Sequence, residues 1–184
     1  MEIEKTGIKD LLIIKPSILQ DARGYFFEAY NRDGFRDAGL DLSFVQDNQS
    51  RSSYGVIRGL HYQLEPRAQT KLVRVLEGRI WDIAVDLRKN SPTFLKWMGV
   101  ELSADNFLQL LVPRGFAHGF AVLSDIAVVL YKCDEHYAPD LEAGIRYDDP
   151  EIGVDWKVSP GDRILSQKDA GMPDHRNAKM NFIY

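Results

Sequence analysis

The sequence predicts a mainly all-β chain folded as a jelly-roll barrel with a few short helices. Three observations carry this. Apolar residues recur with period two in short runs, and glycine and proline separate those runs at intervals typical of a sandwich or barrel. Only brief stretches carry a helical pattern. At 184 residues the chain fits one domain, and a chain of that size buries roughly 70% of its unfolded surface. No internal repeat, low-complexity block or Ser/Gly linker offers a boundary, so a single domain over residues 1–184 is expected.

Taken in order, the N-terminal MEIEKTGIKDLLIIKP holds one short apolar run, LLII, broken by charges and a proline. Neither a signal peptide nor a membrane span fits, and a soluble, cytoplasmic protein is expected. NRDGFRDAG reads as a short helix and LSADN as a weaker one. GVIRGLHYQ, Gly55 to Gln63, reads as extended and half-apolar, yet carries Arg58 and His61. In KLVRVL the alternation puts Lys71, Val73 and Val75 on one face and Leu72, Arg74 and Leu76 on the other. In IWDIAVDLR, Trp81, Ile83, Val85 and Leu87 share one face, and Asp82, Ala84, Asp86 and Arg88 the other. LQLLVPRGFAHGFAVL and AVVLYKC complete the strand-like runs. Gly59, Gly78, Gly99, Gly115, Gly119, Pro92 and Pro113 punctuate them.

Composition narrows the function classes. A formal net charge of -4 and a pI near 5.6 argue against binding long nucleic acid through a bulk positive field. The single cysteine, Cys133, rules out an internal disulfide framework and suits a small buried side chain beside Tyr131.

The polar residues inside the strand runs remain to be explained. Either Lys71 or Arg74 must sit among apolar neighbours. Lys71 is a strand-end lysine reaching water, or an ammonium facing a cavity where negative charge develops. Arg58 and His61, three apart, point to opposite faces of a regular strand; Gly59 between them marks a bulge or bend that would turn both inward. His118 alternates with Phe116 and Phe120 and is either a packed structural histidine or a cavity group.

PRGFAH also fits the P-x-G-x-x-H motif of cupin barrels, whose histidine often binds metal. The companion motif departs: HYQ stands in place of H-x-H, and Lys71 falls seven residues before Gly78, where a metal-binding carboxylate belongs. An ammonium has no lone pair to give a metal ion. The barrel is suggested and a metal is not expected.

Together DARGYFFEAY, QDNQS, GVIRGLHYQ, AQTKLVRVLEG, WDIAVDLRKNSPTF, LVPRGFAHGF, YKCDEHYAP and LSQKD resemble the dTDP-4-dehydrorhamnose 3,5-epimerases over nearly the whole chain. The resemblance implies a cofactor-free, metal-free epimerase on a cupin-like jelly roll, usually a homodimer. It would act on dTDP-4-dehydro-6-deoxy-glucose at ring carbons 3 and 5. By resemblance His61 is the base, Asp169 its carboxylate partner, Lys71 the group holding the enolate charge, and Tyr131 the acid on the opposite face. Substrate contacts implied in the same way are Arg23, Arg58 and Lys168 to the diphosphate, and Tyr137 with Phe26 stacking on thymine. Glu28, Gln46, Asn48, His118 and Glu142 would make polar contacts to base or sugar. The segment holding Arg23, Phe26 and Glu28 would reach the site of a neighbouring subunit. Leu95, Leu108 and Lys157 depart from a common glycine, arginine and proline, and the tail after Pro173 carries no assigned role.

Overall fold

The computed structural model describes residues 1–184. In chain order the elements are β1 (Glu2–Lys5), β2 (Leu12–Lys15), β3 (Leu19–Asp21), β4 (Gly24–Phe26), α1 (Arg32–Asp37), β5 (Gln46–Ser53), β6 (Ile57–Gln63) and β7 (Lys71–Glu77). They continue with β8 (Arg79–Asp86), β9 (Trp97–Ser103), β10 (Gln109–Val112), β11 (Phe116–Val122), β12 (Ile126–Cys133), β13 (Glu142–Gly144) and α2 (Gln167–Ala170). Two antiparallel sheets, ordered β1-β2-β10-β7-β12-β5 and β13-β6-β11-β8-β9, make the cupin-like jelly roll; β3 and β4 form a separate hairpin. No helix is long and apolar enough to cross a membrane.

Alternation divides the chain into layers as the sequence predicts. Val73 and Val75 join Ile80, Ala84, Phe116, Phe120, Ala127 and Val129 in a core between the sheets, whereas Leu72 packs on the outside with Ile14 and Phe35. Ile83, Val85 and Leu87 face away from that core, into a second cluster with Trp156 and Phe182. Both faces of β8 are therefore buried, and the charged members Asp82 and Asp86 are enclosed with no accessible surface.

Local chemistry explains the helices. α1 forms where NRDGFRDAG predicts it, because the Asn31 side chain accepts the amides of Asp33 and Gly34 and Phe35 anchors the turn in the core. LSADN is not helical. The Asn106 side chain accepts the Ser103 amide at 3.0 Å and donates to the Glu101 carbonyl at 2.9 Å, so side-chain bonds close a turn at the end of β9. α2 is a helix that the sequence pattern does not announce; Ser166 caps it by accepting the Asp169 amide. Leu95 adopts a φ of 61°, the left-handed region in which a glycine costs nothing. The tail is ordered by packing: Phe182 is buried, and the Tyr62 hydroxyl donates to the Lys179 carbonyl at 2.8 Å.

Candidate active site

Strand β6 gathers the groups that a regular strand would keep apart. Its pairing with β11 matches His61 to His118 and then shifts register before matching Arg58 to Phe120. At the shift Gly59 has a φ of 128°, and a Cβ there would stand 2.5 Å from the Gly119 Cα. Only glycine on both strands allows so close a crossing. In consequence Arg58 and His61 line one recess of about 230 Å³ together with Ser50, Lys71, His118, Phe120 and Tyr131.

Lys71 and Tyr131 come from the facing sheet. Register sets Cys133 opposite Lys71 on the neighbouring strand and Tyr131 opposite Val73, and the Lys71 Nζ lies 5.9 Å from the Tyr131 ring centroid. Burial pushes the Lys71 ammonium below its ordinary value, opposed by negative charge at Cys133, Asp82 and Glu142. Burial pushes the Tyr131 phenol up; Cys133 and Glu142 add to this and Arg58 opposes it. At neutral pH the phenol keeps its proton. Of the sequence alternatives for Lys71, the cavity-facing one holds.

His61 is paired as the resemblance implied: its Nε2 lies 2.5 Å from Asp169 Oδ1. Asp169 is 4% exposed and sits in the first turn of α2. Burial pushes its carboxyl up, but bonding to His61, the imidazole's charge, the Ser166 hydroxyl and the Gly59 amide together bring it below the usual carboxylate range. A neutral imidazole then carries its proton on Nε2, toward the carboxylate, and presents Nδ1 as a base.

A second recess of about 330 Å³ opens beside the first, lined by Gln46, Asn48, His61, Lys71, Tyr131, Tyr137 and Glu142 among others. Its amides are tied in series. The Tyr137 amide donates to Gln46 Oε1 at 2.9 Å, and Gln46 Nε2 to Asn48 Oδ1 at 3.1 Å. Glu142 Oε2 accepts from the Tyr137 hydroxyl at 2.8 Å and pairs with Lys168 Nζ at 2.6 Å. Burial raises the Glu142 carboxyl, and the bonds from Lys168 and Tyr137 bring it below its ordinary value; Lys168 is raised in return. Tyr137 is 51% exposed, an aromatic face open to stacking. No three His, Cys, Asp or Glu side chains converge as a metal would require.

Eleven of the fourteen residues singled out in the sequence thus gather around His61: Gln46, Asn48, Arg58, His61, Lys71, His118, Tyr131, Tyr137, Glu142, Lys168 and Asp169. Arg23, Phe26 and Glu28 stand apart from these recesses. Arg23 is paired with Asp21, Glu28 accepts from Asn31, and Phe26 is 66% exposed on the β3–β4 hairpin. Other contributors escaped the sequence reading. Ser52 accepts from Arg58 Nε at 3.1 Å, and Asp82 holds His118 Nε2 at 2.7 Å. A signal for Ser52 was present in QDNQSRSS, where Gln46, Asn48, Ser50 and Ser52 alternate as one polar, more enclosed row.

Comparisons with known proteins identify the family. The family described as dTDP-4-dehydrorhamnose 3,5-epimerase matches residues 5–177. A curated dTDP-4-dehydrorhamnose 3,5-epimerase from Shigella flexneri is 52% identical over 92% of this chain and 93% of its own length. The crystal structure of an epimerase of the same name from Elizabethkingia anophelis superposes with a TM-score of 0.92 at 52% identity, covering 96% of this chain and 97% of its own. A Legionella pneumophila dTDP-6-deoxy-D-glucose-3,5-epimerase, solved in complex with dTDP-4-keto-L-rhamnose, superposes at 0.91 with 46% identity, covering 96% and 93% of the two chains. On the match of the family over residues 5–177 and the similarity of these relatives over nearly their whole length, this chain belongs to the dTDP-4-dehydrorhamnose 3,5-epimerase family of isomerases.

Proposed function

We propose that the protein inverts carbons 3 and 5 of dTDP-4-dehydro-6-deoxy-glucose, without metal or cofactor, to give dTDP-4-dehydro-rhamnose in the cytoplasm. The observation that carries this reading is the pairing of a carboxylate-held imidazole with a phenol across one recess, His61 from one sheet and Tyr131 from the other. Protons beside a ketone are weakly acidic. His61 Nδ1 takes one, the C–H electron pair enters the enolate, and the charge gathers on the ketone oxygen beside the Lys71 ammonium. Tyr131 then delivers its proton to the other face of the same carbon. Imidazolium and phenolate reset through solvent, and the sequence repeats at the second carbon.

Arg58 and Lys168 would take the diphosphate and Tyr137 the thymine, with Gln46, Asn48, His118 and Glu142 in polar contact. The Glu142–Lys168 pair gives way when the diphosphate competes for the ammonium. We read the chain as one domain working as a homodimer, with the N-terminal segment that holds Arg23, Phe26 and Glu28, including the β3–β4 hairpin, reaching into its partner's site. The 66% exposure of both Leu19 and Phe26 supports this. Proton NMR of the substrate incubated with the protein in D₂O tests the reading. Loss of the signals at carbons 3 and 5 with inverted products is expected; exchange at one carbon alone would make it a single-carbon epimerase, and no exchange would remove the activity.

A further inference from the structure

Beneath the recess lies a carboxylate that the reaction just described does not use. Asp82, on the inward face of β8, has no accessible surface. One of its oxygens lies 2.7 Å from His118 Nε2, and the other, Oδ2, has no hydrogen-bond partner. A buried carboxylate half without partners is costly, and a fold keeps one where its charge serves neighbours.

We propose that Asp82 is a positioning residue of this site: it fixes His118 so that the imidazole offers Nδ1 to a hydroxyl of the bound sugar, and it sets negative charge beneath Lys71. The proposal rests on the sugar-nucleotide reading above. With Nε2 against a carboxylate, the His118 ring proton is held there. Nδ1 bonds to no other group of the chain, while His118 lines the recess with Lys71, Arg58, His61 and Tyr131. A lone pair on a fixed ring accepts a hydroxyl proton at a defined place; an unpaired imidazole would turn or change tautomer. The effect on Lys71 is through space, since Asp82 stabilises the ammonium that burial disfavours. The other charged or titratable groups about Lys71 are Cys133 and Tyr131 on β12, Arg58, His61 and Tyr62 on β6, His118 on β11, Glu142 on β13 and Tyr137 in the loop before it. Of these groups only Asp82 and Cys133 have no accessible surface, and of that pair Asp82 is the carboxylate.

Asp82→Asn is nearly isosteric and separates positioning from folding. The melting temperature and the dissociation constant for dTDP, which lacks the hexose, should stay at wild-type values. Turnover efficiency should fall by about tenfold or more, the loss of one charge-assisted hydrogen bond, and the alkaline limb of its pH profile should move to lower pH as Lys71 gives up its proton more readily. A merely structural carboxylate would not move that limb. An unchanged limb and unchanged efficiency overturn the proposal.

A measurement on the wild-type chain keeps the idea open to refutation whatever the variant does. Nitrogen NMR of ¹⁵N-histidine-labelled protein should show His118 protonated at Nε2. Its Nδ1 signal should shift with dTDP-glucose and not with dTDP. A proton on Nδ1 of neutral His118, or a dTDP-glucose shift at His61 with none at His118, overturns this proposal alone. If neither ligand binds, the sugar-nucleotide reading falls first and takes the proposal with it.

Discussion

Replacing Asp169 with asparagine tests the base assignment most directly. The carboxylate is 4% exposed and holds His61 Nε2 at 2.5 Å while also serving the Ser166 hydroxyl and the Gly59 amide. Its value to the reaction lies in the charge that His61 acquires on taking a carbon-bound proton. A hydrogen bond between charged groups contributes about 1.5–3 kcal/mol and a neutral one about 0.5–1.5 kcal/mol. Asp169→Asn keeps the shape and one acceptor oxygen, so the transition state loses the difference, about 1–2 kcal/mol or roughly 5- to 30-fold in turnover. That is a lower bound. Three donors converge on the carboxylate and the amide has one oxygen for them. Where His61 is the donor turned away, its tautomer is released and the loss approaches the about 10² to 10⁴ of a missing general base. Steady-state turnover, with melting temperature and dTDP affinity as controls for fold and nucleotide site, decides the matter. Turnover within about twofold of wild type, in a variant that melts normally and binds dTDP, would show that the carboxylate does not support the base.

His61→Ala should lower turnover by about 10² to 10⁴ and leave dTDP affinity in place, as calorimetry would report; near-normal turnover would make the histidine structural. Arg58→Ala should raise the dissociation constant for dTDP by roughly tenfold or more, because Ser52 engages only Arg58 Nε and the other guanidinium donors remain for phosphate. An unchanged constant would remove Arg58 from the phosphate site. Lys71→Met should abolish turnover yet raise the melting temperature, since a buried ammonium gives way to an apolar side chain of similar length; a gain of ~1 kcal/mol reads as about 2–4 °C. The linked pH effect has a definite sign. Because the folded-state value of Lys71 is depressed, the unfolded chain binds more protons between that value and the ordinary 10.5. The cost of the charged lysine therefore diminishes as pH rises through this window, and the stability gap between variant and wild type should narrow there. A gap that widens with pH would refute the burial argument.

Much of this protein is decided locally and is legible in the chain. Period-two alternation is a property of neighbouring residues, so the sequence alone put Val73 and Val75 on one face with Leu72 on the other, and Ile83, Val85 and Leu87 on a shared face; the structure decided which of these faces meets which core. The register break at Gly59 was legible for the same reason: a glycine between two polar residues in a strand is a local signal. Local pattern failed at LSADN, where three side-chain bonds outcompete a helical turn, and at α2, whose four residues are too few to show a period.

What the tertiary structure decided is everything that depends on two distant segments meeting. Asp169 reaches His61 across 108 positions, a pairing that resemblance implied and spacing never finds. Asp82 reaches His118 across 36 positions, and Arg58 rests on Ser52 of the other sheet, a contact that the turn between β5 and β6 makes and alternation does not show. Alternation sets Asp82 on the face opposite Ile83 and Val85 but neither turns it inward nor assigns it a partner. The physical reason is that a buried charge is tolerated only against particular partners, and the closing of two sheets over one core selects those partners, not the order of residues along a strand.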